Sequence, residues 1–446
     1  MTAVQKLLKL VDADDRYAIP LADLLPVQLE AARERLARHG AAIRLVRNRV
    51  EETGVKRLEE PADLIPLLFA HTAYKSYPES WLEKNRWELL NRWLDTVSAM
   101  RTEGVDSRDV ADIDEWITRL AAKGQFVSCS SGTSGKVSMI PSSMLDRQVT
   151  TRNLTAAYSW ATGLPPGREH KLFICHPQTN NLRFLDSWDA LNAAFGREGE
   201  EFRQPGEPVT IGRIREMVRL RMSIKQGSAR PAEIADYERR VAERERMIDG
   251  AVRGIAEALV AARGRKIMIA GMYAQMFKVA QLVREMGYAE GDFDPDNAMM
   301  VSGGLKGAEL PPDYRERIMR AFHIGPLRAF SMYGMQELNT LFPRCRAGRY
   351  HVAPWVVLLV LDEQGEKLVG PPRGELEGRA GFFDLSHENR WGGLLSGDKI
   401  TVEYGKCACG HEGPTIGDNI VRYADLPGGD KISCAGSIDA YVRGAT

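Results

Sequence analysis

The sequence carries almost no net charge: 60 Lys+Arg residues balance 60 Asp+Glu residues over 446 positions. That balance argues against a dedicated nucleic-acid binder or a protein of anionic membrane surfaces. No apolar run is long enough to span a bilayer. Cysteine is scarce, with six in the chain, so no disulfide scaffold is expected and a reducing cytoplasm is the default setting. Asp12, Asp14 and Asp15 follow a short apolar patch near the N-terminus without a cleavage-site pattern, which argues against a secretory signal. Internal repeats and low-complexity tracts are also missing. What remains is an ordinary soluble globular chain, 44% hydrophobic, and too long for one simple core.

The texture of the chain divides it into three parts. Residues 1–122 form a helical N-terminal region. Leucines and alanines recur at helical spacing from Pro26 to Glu52, and Pro78 can open a later helix whose buried face carries Trp81, Trp87, Leu90 and Trp93. Core packing explains that aromatic stripe better than a ligand site. Residues 123–342 alternate short apolar runs with longer helical patterns. Strands are expected at 171–175, 266–270, 298–301 and 327–331, with helices at 143–158, 184–195, 211–225, 232–262, 274–286 and 312–322. Such alternation predicts layered α/β structure around a largely parallel sheet. The mixed Arg and Glu of residues 213–265 read as a solvated helical pair. Residues 343–446 change again, to strands at 350–361, 374–384 and 398–404 between Gly/Pro turns: a small β-rich subdomain.

Chemistry concentrates first in residues 126–141, FVSCSSGTSGKVSMIP. An apolar run ending at Cys129 gives way to Ser130, Ser131, Gly132, Thr133, Ser134 and Gly135, closed by Lys136. Glycines bring backbone N–H groups close to an anion, hydroxyls donate to phosphate oxygens, and lysine supplies a point charge. The composition is that of a phosphate cradle. It departs from the common nucleotide loop, because Gly132 is only four residues before Lys136 and Val137 follows the lysine. A flexible Ser/Gly linker is the competing reading, but linkers rarely close on one lysine and resume apolar structure at once.

Four later stretches can complete a nucleotide site. Gly303 and Gly304, in SGGLK after a strand, permit close approach of a flat ligand, or simply form a βα turn. Residues 331–337, SMYGMQE, offer Tyr333 for stacking, Gly334 beside it, and Glu337 for a magnesium ion. Asp398, in SGD, can accept ribose hydroxyls or sit in a turn. Arg422 is a candidate cation for phosphate or ribose, and equally a surface arginine. Each signal is weak alone; order and spacing carry the weight.

SSGTSGK, SGG, YGMQE and SGD, in that order over residues 130–398, resemble the adenylate-forming superfamily of acyl-CoA ligases, peptide-synthetase adenylation domains and luciferases. The closing region, YHVAPW from Tyr350, CACG from Cys407 and GSIDAY from Gly436, is similar to the acyl-protein synthetase of bacterial luminescence and to phenylacetate-CoA ligases. The resemblance covers about two-thirds of the chain. It implies the large N-terminal region of the adenylate-forming fold, with the mobile C-terminal domain absent. It implies ATP and Mg2+, with Thr133 and Lys136 at the phosphates, Tyr333 near the adenine, Glu337 on magnesium and Asp398 at the ribose. The activity implied is formation of an acyl-adenylate from a carboxylic acid. The acyl group then passes to a thiol, a carrier protein or a small nucleophile. Two alternatives stand beside it: an acyl-CoA ligase cut before its last domain, and an ATP-binding scaffold without turnover. In the luminescence enzyme a cysteine follows the matching glycine; here Ser437 does, with Cys434 three residues earlier, so the acceptor is left open.

Cys345, His351, Cys407 and Cys409 add a second expectation. Three sulfurs and one imidazole suit a structural tetrahedral zinc. Ordinary reduced cysteines beside a surface histidine are the competing reading, and the zinc carried by some phenylacetate-type ligases near this position favours the metal.

Overall fold

The computed structural model describes residues 1–130, 136–301, 309–430 and residue 432. Among these, no helix is long and apolar enough to cross a membrane. The chain divides into two compact units. One comprises residues 1–132, 136–153 and 333–446; the other comprises 133–135 and 154–332.

The second unit is built on a five-stranded sheet in the order Phe202–Arg203, Lys171–Ile174, Ile267–Gly271, Asn297–Val301 and Ile324–Phe330. Every pairing is parallel, as the alternation predicts. Ile267–Gly271 and Asn297–Val301 are buried along their whole length. This is why they read as continuous apolar runs rather than as alternating patterns. The helices Pro231–Ala261, Tyr273–Glu285 and Tyr314–Ala321 contribute Ile255, Leu259, Val279, Val283 and Ile318 to the core beneath them. Asn297 braces the sheet end: its amide oxygen accepts from Ile267 N at 2.9 Å, and its nitrogen donates to Phe322 O at 2.9 Å. Pro231–Ala261 buries side chains only from Ala251 onward. Its first half pairs ionically with Ile211–Lys225, Arg240 meeting Glu216 at 2.9 Å, so the mixed charges are a solvated helical pair.

The first unit is organised by the strand Gly393–Tyr404. Gly374–Asp384 and then Val356–Leu361 lie antiparallel on one side of it, and Thr415–Ile416 and Tyr350–His351 on the other. Val421–Arg422 also pairs antiparallel with it, and Phe69–Ala70 pairs in parallel. The added Phe69–Ala70 strand differs from the helical reading of the N-terminal region; two residues are too few to leave a period-2 pattern. Helical periodicity is also cut more finely than expected. One helix runs Leu21–Ala42, with Pro26 inside it, and a second runs Arg44–Thr53. Pro78 caps only the short helix Glu79–Glu83, because Asn85 turns left-handed at φ 50° before Trp87–Val97 begins. The buried indoles of Trp87, Trp93 and Trp116 donate to Val110 O, Ser76 Oγ and Asn91 Oδ1 at 2.9–3.0 Å; Trp87, Leu90 and Trp93 are core, whereas Trp81, on the short helix, is half-buried. The strand expected over 350–361 is interrupted between His351 and Val356, where the amide of Val356 closes a turn onto Ala353 O. Gly378 is required by close approach: a Cβ there would lie 2.3 Å from Leu361 O.

A buried polar network fastens the loops of this unit. Asp146 is fully buried. Its carboxylate accepts from the Ser143 amide and hydroxyl, from Asn339 Nδ2 at 2.8 Å, and from the amides of Glu388 and Asn389 at 2.8 and 3.1 Å. Asp384 accepts from the amides of Asn339 and Thr340 at 3.0 Å and from the Ser386 amide and hydroxyl. Burial works to raise the Asp384 carboxyl, but the His387 imidazole and the Ser386 donors outweigh it and hold it well below the usual range. A carboxylate held below its unfolded value adds stability that is fully present above about pH 4 and lost as the pH falls below it. Asp384→Asn is expected to cost about 3 kcal/mol at neutral pH. It should also flatten the loss of stability between about pH 4 and pH 2. Urea denaturation across that range is the check, and parallel profiles for wild type and variant would reject the assignment.

Candidate active site

Phe126–Ser130 and Ser138–Ser142 pair antiparallel, with Ser130 opposite Ser138 and their hydroxyls 3.0 Å apart. The strand expected before the hydroxyl-rich loop is therefore present. Ser131, Gly132, Thr133, Ser134 and Gly135 lie outside the described residues, as do Gly303 and Gly304. Lys136 is described, at the foot of the loop. Its ammonium donates to the carbonyl of Tyr77 and sits 4.2 Å from the centre of the Tyr77 ring. Tyr77 is fully buried, and its hydroxyl donates to Val137 O at 2.8 Å. The cation at the end of the loop is thus anchored on an aromatic face from the N-terminal region.

Three separate stretches meet beside the strand Gly393–Tyr404. The Tyr333 hydroxyl donates to Oδ2 of Asp398 at 2.7 Å, and Asp398 faces Arg422 across the Gly393–Tyr404 and Val421–Arg422 pairing. The Tyr333 ring packs among Phe342, Tyr350 and Phe382 at 6.0–6.2 Å. Burial, then the Asp398 charge and the bond to it, push the Tyr333 phenol well above its ordinary value, so it stays a donor. Asp398 is half-buried rather than buried, and its amide donates to Ser396 Oγ at 2.9 Å. Glu337 is half-buried and acts electrostatically on His71, as do Asp430 and Asp398. Gly334 and Arg422 are exposed.

Sequence reasoning missed the groups that hold this site. Arg390 is 1% exposed. Its guanidinium donates to Pro141 O at 2.9 Å, to Asn339 Oδ1 at 3.0 Å, and to the Glu337 carbonyl at 3.4 Å. One side chain therefore touches both the strand Ser138–Ser142 and the segment that carries Glu337. Residues 386–390, SHENR, are a polar run that reads as a surface turn; only burial reveals their role. His71 and Lys75 come from the 3-10 helix His71–Lys75 in a region without a catalytic pattern. Burial lowers the Lys75 ammonium, against the opposing pull of Glu337.

A second candidate site lies at the far end of the same sheet. The ligand atoms of Cys345, His351, Cys407 and Cys409 all lie within 4.8 Å of one another, and all four residues are buried. Cys345 and Cys407 each open a tight turn: the Gly348 amide donates to Cys345 O at 2.9 Å and the Gly410 amide to Cys407 O at 2.8 Å. Gly348 and Gly410 adopt φ of 82° and 100°, which their lack of a Cβ permits. Burial pushes the Cys409 thiol up to about 12 and the His351 imidazole down to about 4. Neutral His351 is the form that binds a metal, and a divalent cation would reverse the penalty on the thiolates. The donor set and its spacing are compatible with tetrahedral zinc. His411 adds a nitrogen 3.6 Å from Cys409 Sγ.

Residues 176–183 and 271–277 belong to the second unit. There His176 stacks on Trp188 at 5.7 Å, and Trp188 on Phe184 at 6.1 Å.

No family model and no curated protein matches the sequence. Solved structures do match. 2-Hydroxyisobutyryl-CoA ligase, in an open conformation with 2-HIB-AMP and CoA, aligns over 92% of this chain and 77% of its own, at 14% identity and a TM-score of 0.51. The same ligase in the thioesterification state, also with 2-HIB-AMP and CoA, aligns over 93% and 72%, at 13% identity and a TM-score of 0.51. Identity at this level speaks for fold. The chain shares the fold of that ligase.

Proposed function

We propose that this protein activates a carboxylic acid with ATP, giving an acyl-adenylate and pyrophosphate, and passes the acyl group to a thiol or another nucleophile. The observation that carries the reading is that Tyr333, Asp398 and Arg422 come together at the strand Gly393–Tyr404, through the Tyr333–Asp398 bond and the Asp398–Arg422 register, with Glu337 and Asp398 both acting on His71. Fold likeness to a ligase solved with an acyl-AMP and CoA supports the same class. Among acceptors, the CoA named with that ligase favours a thiol. The branch proposed is that of the acyl-protein synthetases and phenylacetate-type ligases, on the YHVAPW and CACG elements.

A carboxylate is a poor electrophile. Its oxygen attacks the α-phosphorus, the bond to the β-phosphate bridging oxygen breaks, and pyrophosphate leaves with that electron pair. Negative charge gathers on phosphate oxygens in the transition state. In this reading the backbone and hydroxyls of residues 130–135, with Thr133 and Lys136, bind those oxygens more tightly than in the ground state. Glu337 would hold Mg2+, which would neutralise phosphate charge; Asp398 would bind the ribose; and Tyr333 would border the adenine. No proton-transfer residue is needed, because the nucleophile is already ionised. Zinc held by Cys345, His351, Cys407 and Cys409 would have a structural role.

Lys136→Ala and Thr133→Ala should each slow carboxylate-dependent pyrophosphate exchange. Losing a charge-assisted hydrogen bond removes about 1.5–3 kcal/mol, or roughly 10- to 150-fold in rate. Unchanged exchange in both folded variants would remove the loop from the site. Exchange screened over fatty, aryl and amino acids also identifies the substrate class.

Glu337→Gln keeps shape and loses the charge a hard cation needs. Activity is expected to fall about tenfold at low magnesium and to recover in part as magnesium is raised. Normal rates at every magnesium concentration would make Glu337 structural.

Protein purified without added zinc should contain about one zinc per chain, with Cys345, Cys407 and Cys409 protected from thiol reagents in the folded state. Removal by a chelator should lower thermal stability. A metal ratio near zero with all three thiols reactive would reject the centre.

A further inference from the structure

Phe69 and Ala70 pair in parallel with Leu394 and Leu395. Both chains then run on in the same direction, one into His71 and the other into Ser396, Gly397 and Asp398. The register therefore delivers His71 to the strand that carries Asp398. The contact is close: a Cβ on Gly397 would lie 3.2 Å from Cε1 of His71 and 3.3 Å from Oδ2 of Asp430. Glu337, Asp430 and Asp398 all act on the imidazole. Nδ1 of His71 is buried and, among the described residues, has no hydrogen-bond partner. A buried nitrogen left unpaired costs about 1–3 kcal/mol, so its retention beside this strand calls for a partner that arrives with a ligand.

The neighbouring carboxylate indicates which partner. Oδ2 of Asp398 already accepts the Tyr333 hydroxyl at 2.7 Å. A ribose offers two adjacent hydroxyls, and a carboxylate with one oxygen engaged is poorly placed to take both. A neutral imidazole both donates and accepts, which suits a hydroxyl. We propose that His71 is a nucleotide-contacting residue that shares the ribose with Asp398, His71 bonding one hydroxyl and Asp398 the other. This rests on the reading that ATP binds at Asp398. It brings the N-terminal region, which carries no recognisable motif, into direct contact with the nucleotide.

The test is a cycle between protein and ligand. Binding of ATP, 2′-deoxy-ATP and 3′-deoxy-ATP to the full chain is measured by calorimetry for wild type, His71→Ala, His71→Asn and His71→Gln, with melting temperatures recorded for each. His71→Ala is expected to weaken ATP about tenfold. One of the two deoxy analogues should bind wild type about tenfold more weakly and His71→Ala no more weakly still, the non-additivity of a shared contact. Either amide variant should recover part of the ATP affinity, because its NH2 can replace a ring N–H. If His71→Ala binds all three nucleotides like wild type, or weakens all three equally, the ribose contact is overturned. If wild type binds no ATP, the nucleotide reading itself fails, an outcome distinct from either of these.

Discussion

The first unit depends on two opposite charges held out of water. Arg390 and Asp146 are each almost fully buried, and each is bonded on several sides. Buried charges are tolerated only where their bonding capacity is filled, and leaving one partner unmatched costs several kcal/mol. Here the bonds run to three segments: the Pro141 carbonyl of the strand Ser138–Ser142, the Glu337 carbonyl and Asn339 side-chain amide, and the amides of Glu388 and Asn389. No segment can shift alone without stranding a charge. Two of them bear or adjoin candidate site residues, Glu337 and Lys136. The network therefore fixes the backbone from which those side chains project, which is what preorganised electrostatic stabilisation requires.

The strand Gly393–Tyr404 links the candidate site to the metal-like cluster. It carries Asp398 near its middle and pairs with Thr415–Ile416 near its end, and Thr415–Ile416 in turn pairs with Tyr350–His351. Tyr350 lies beside Tyr333, with ring centres 6.1 Å apart, and its hydroxyl donates to Asp418 at 2.9 Å. His351, the next residue, meets Tyr17 edge-on at 5.5 Å. The cluster therefore sits where the N-terminal segment, the sheet and the Tyr333 packing come together. A small β-rich portion has little core of its own, and a cross-link at this junction would hold its short strands in register.

Much of the fold is legible in the sequence because its signals are local. In the second unit, four of the five strands and the helices fall at or near where apolar runs and 3.6-residue periodicity put them; Phe202–Arg203 is too short to leave a pattern. The hydroxyl- and glycine-rich composition after residue 129 is what suggests an anion site in the sequence. The order of the four motifs carries the resemblance to the adenylate-forming superfamily. The Cys and His positions could be singled out by chemistry, because thiol and imidazole have few other uses at such a density.

The sequence by itself thus determined four of the five strands of the parallel sheet and the candidate metal-ligand set. Tertiary structure decided which residues gather around Asp398. Phe69–Ala70 joins the sheet through two residues, too short a run to carry a period, and only that pairing brings His71 to Gly397. Asp146, Asp384, His387 and Arg390 are types that usually face water, and nothing in their spacing says that they are buried. Burial and long-range pairing depend on what the rest of the chain brings to a position, and a residue's own neighbours in sequence do not record it.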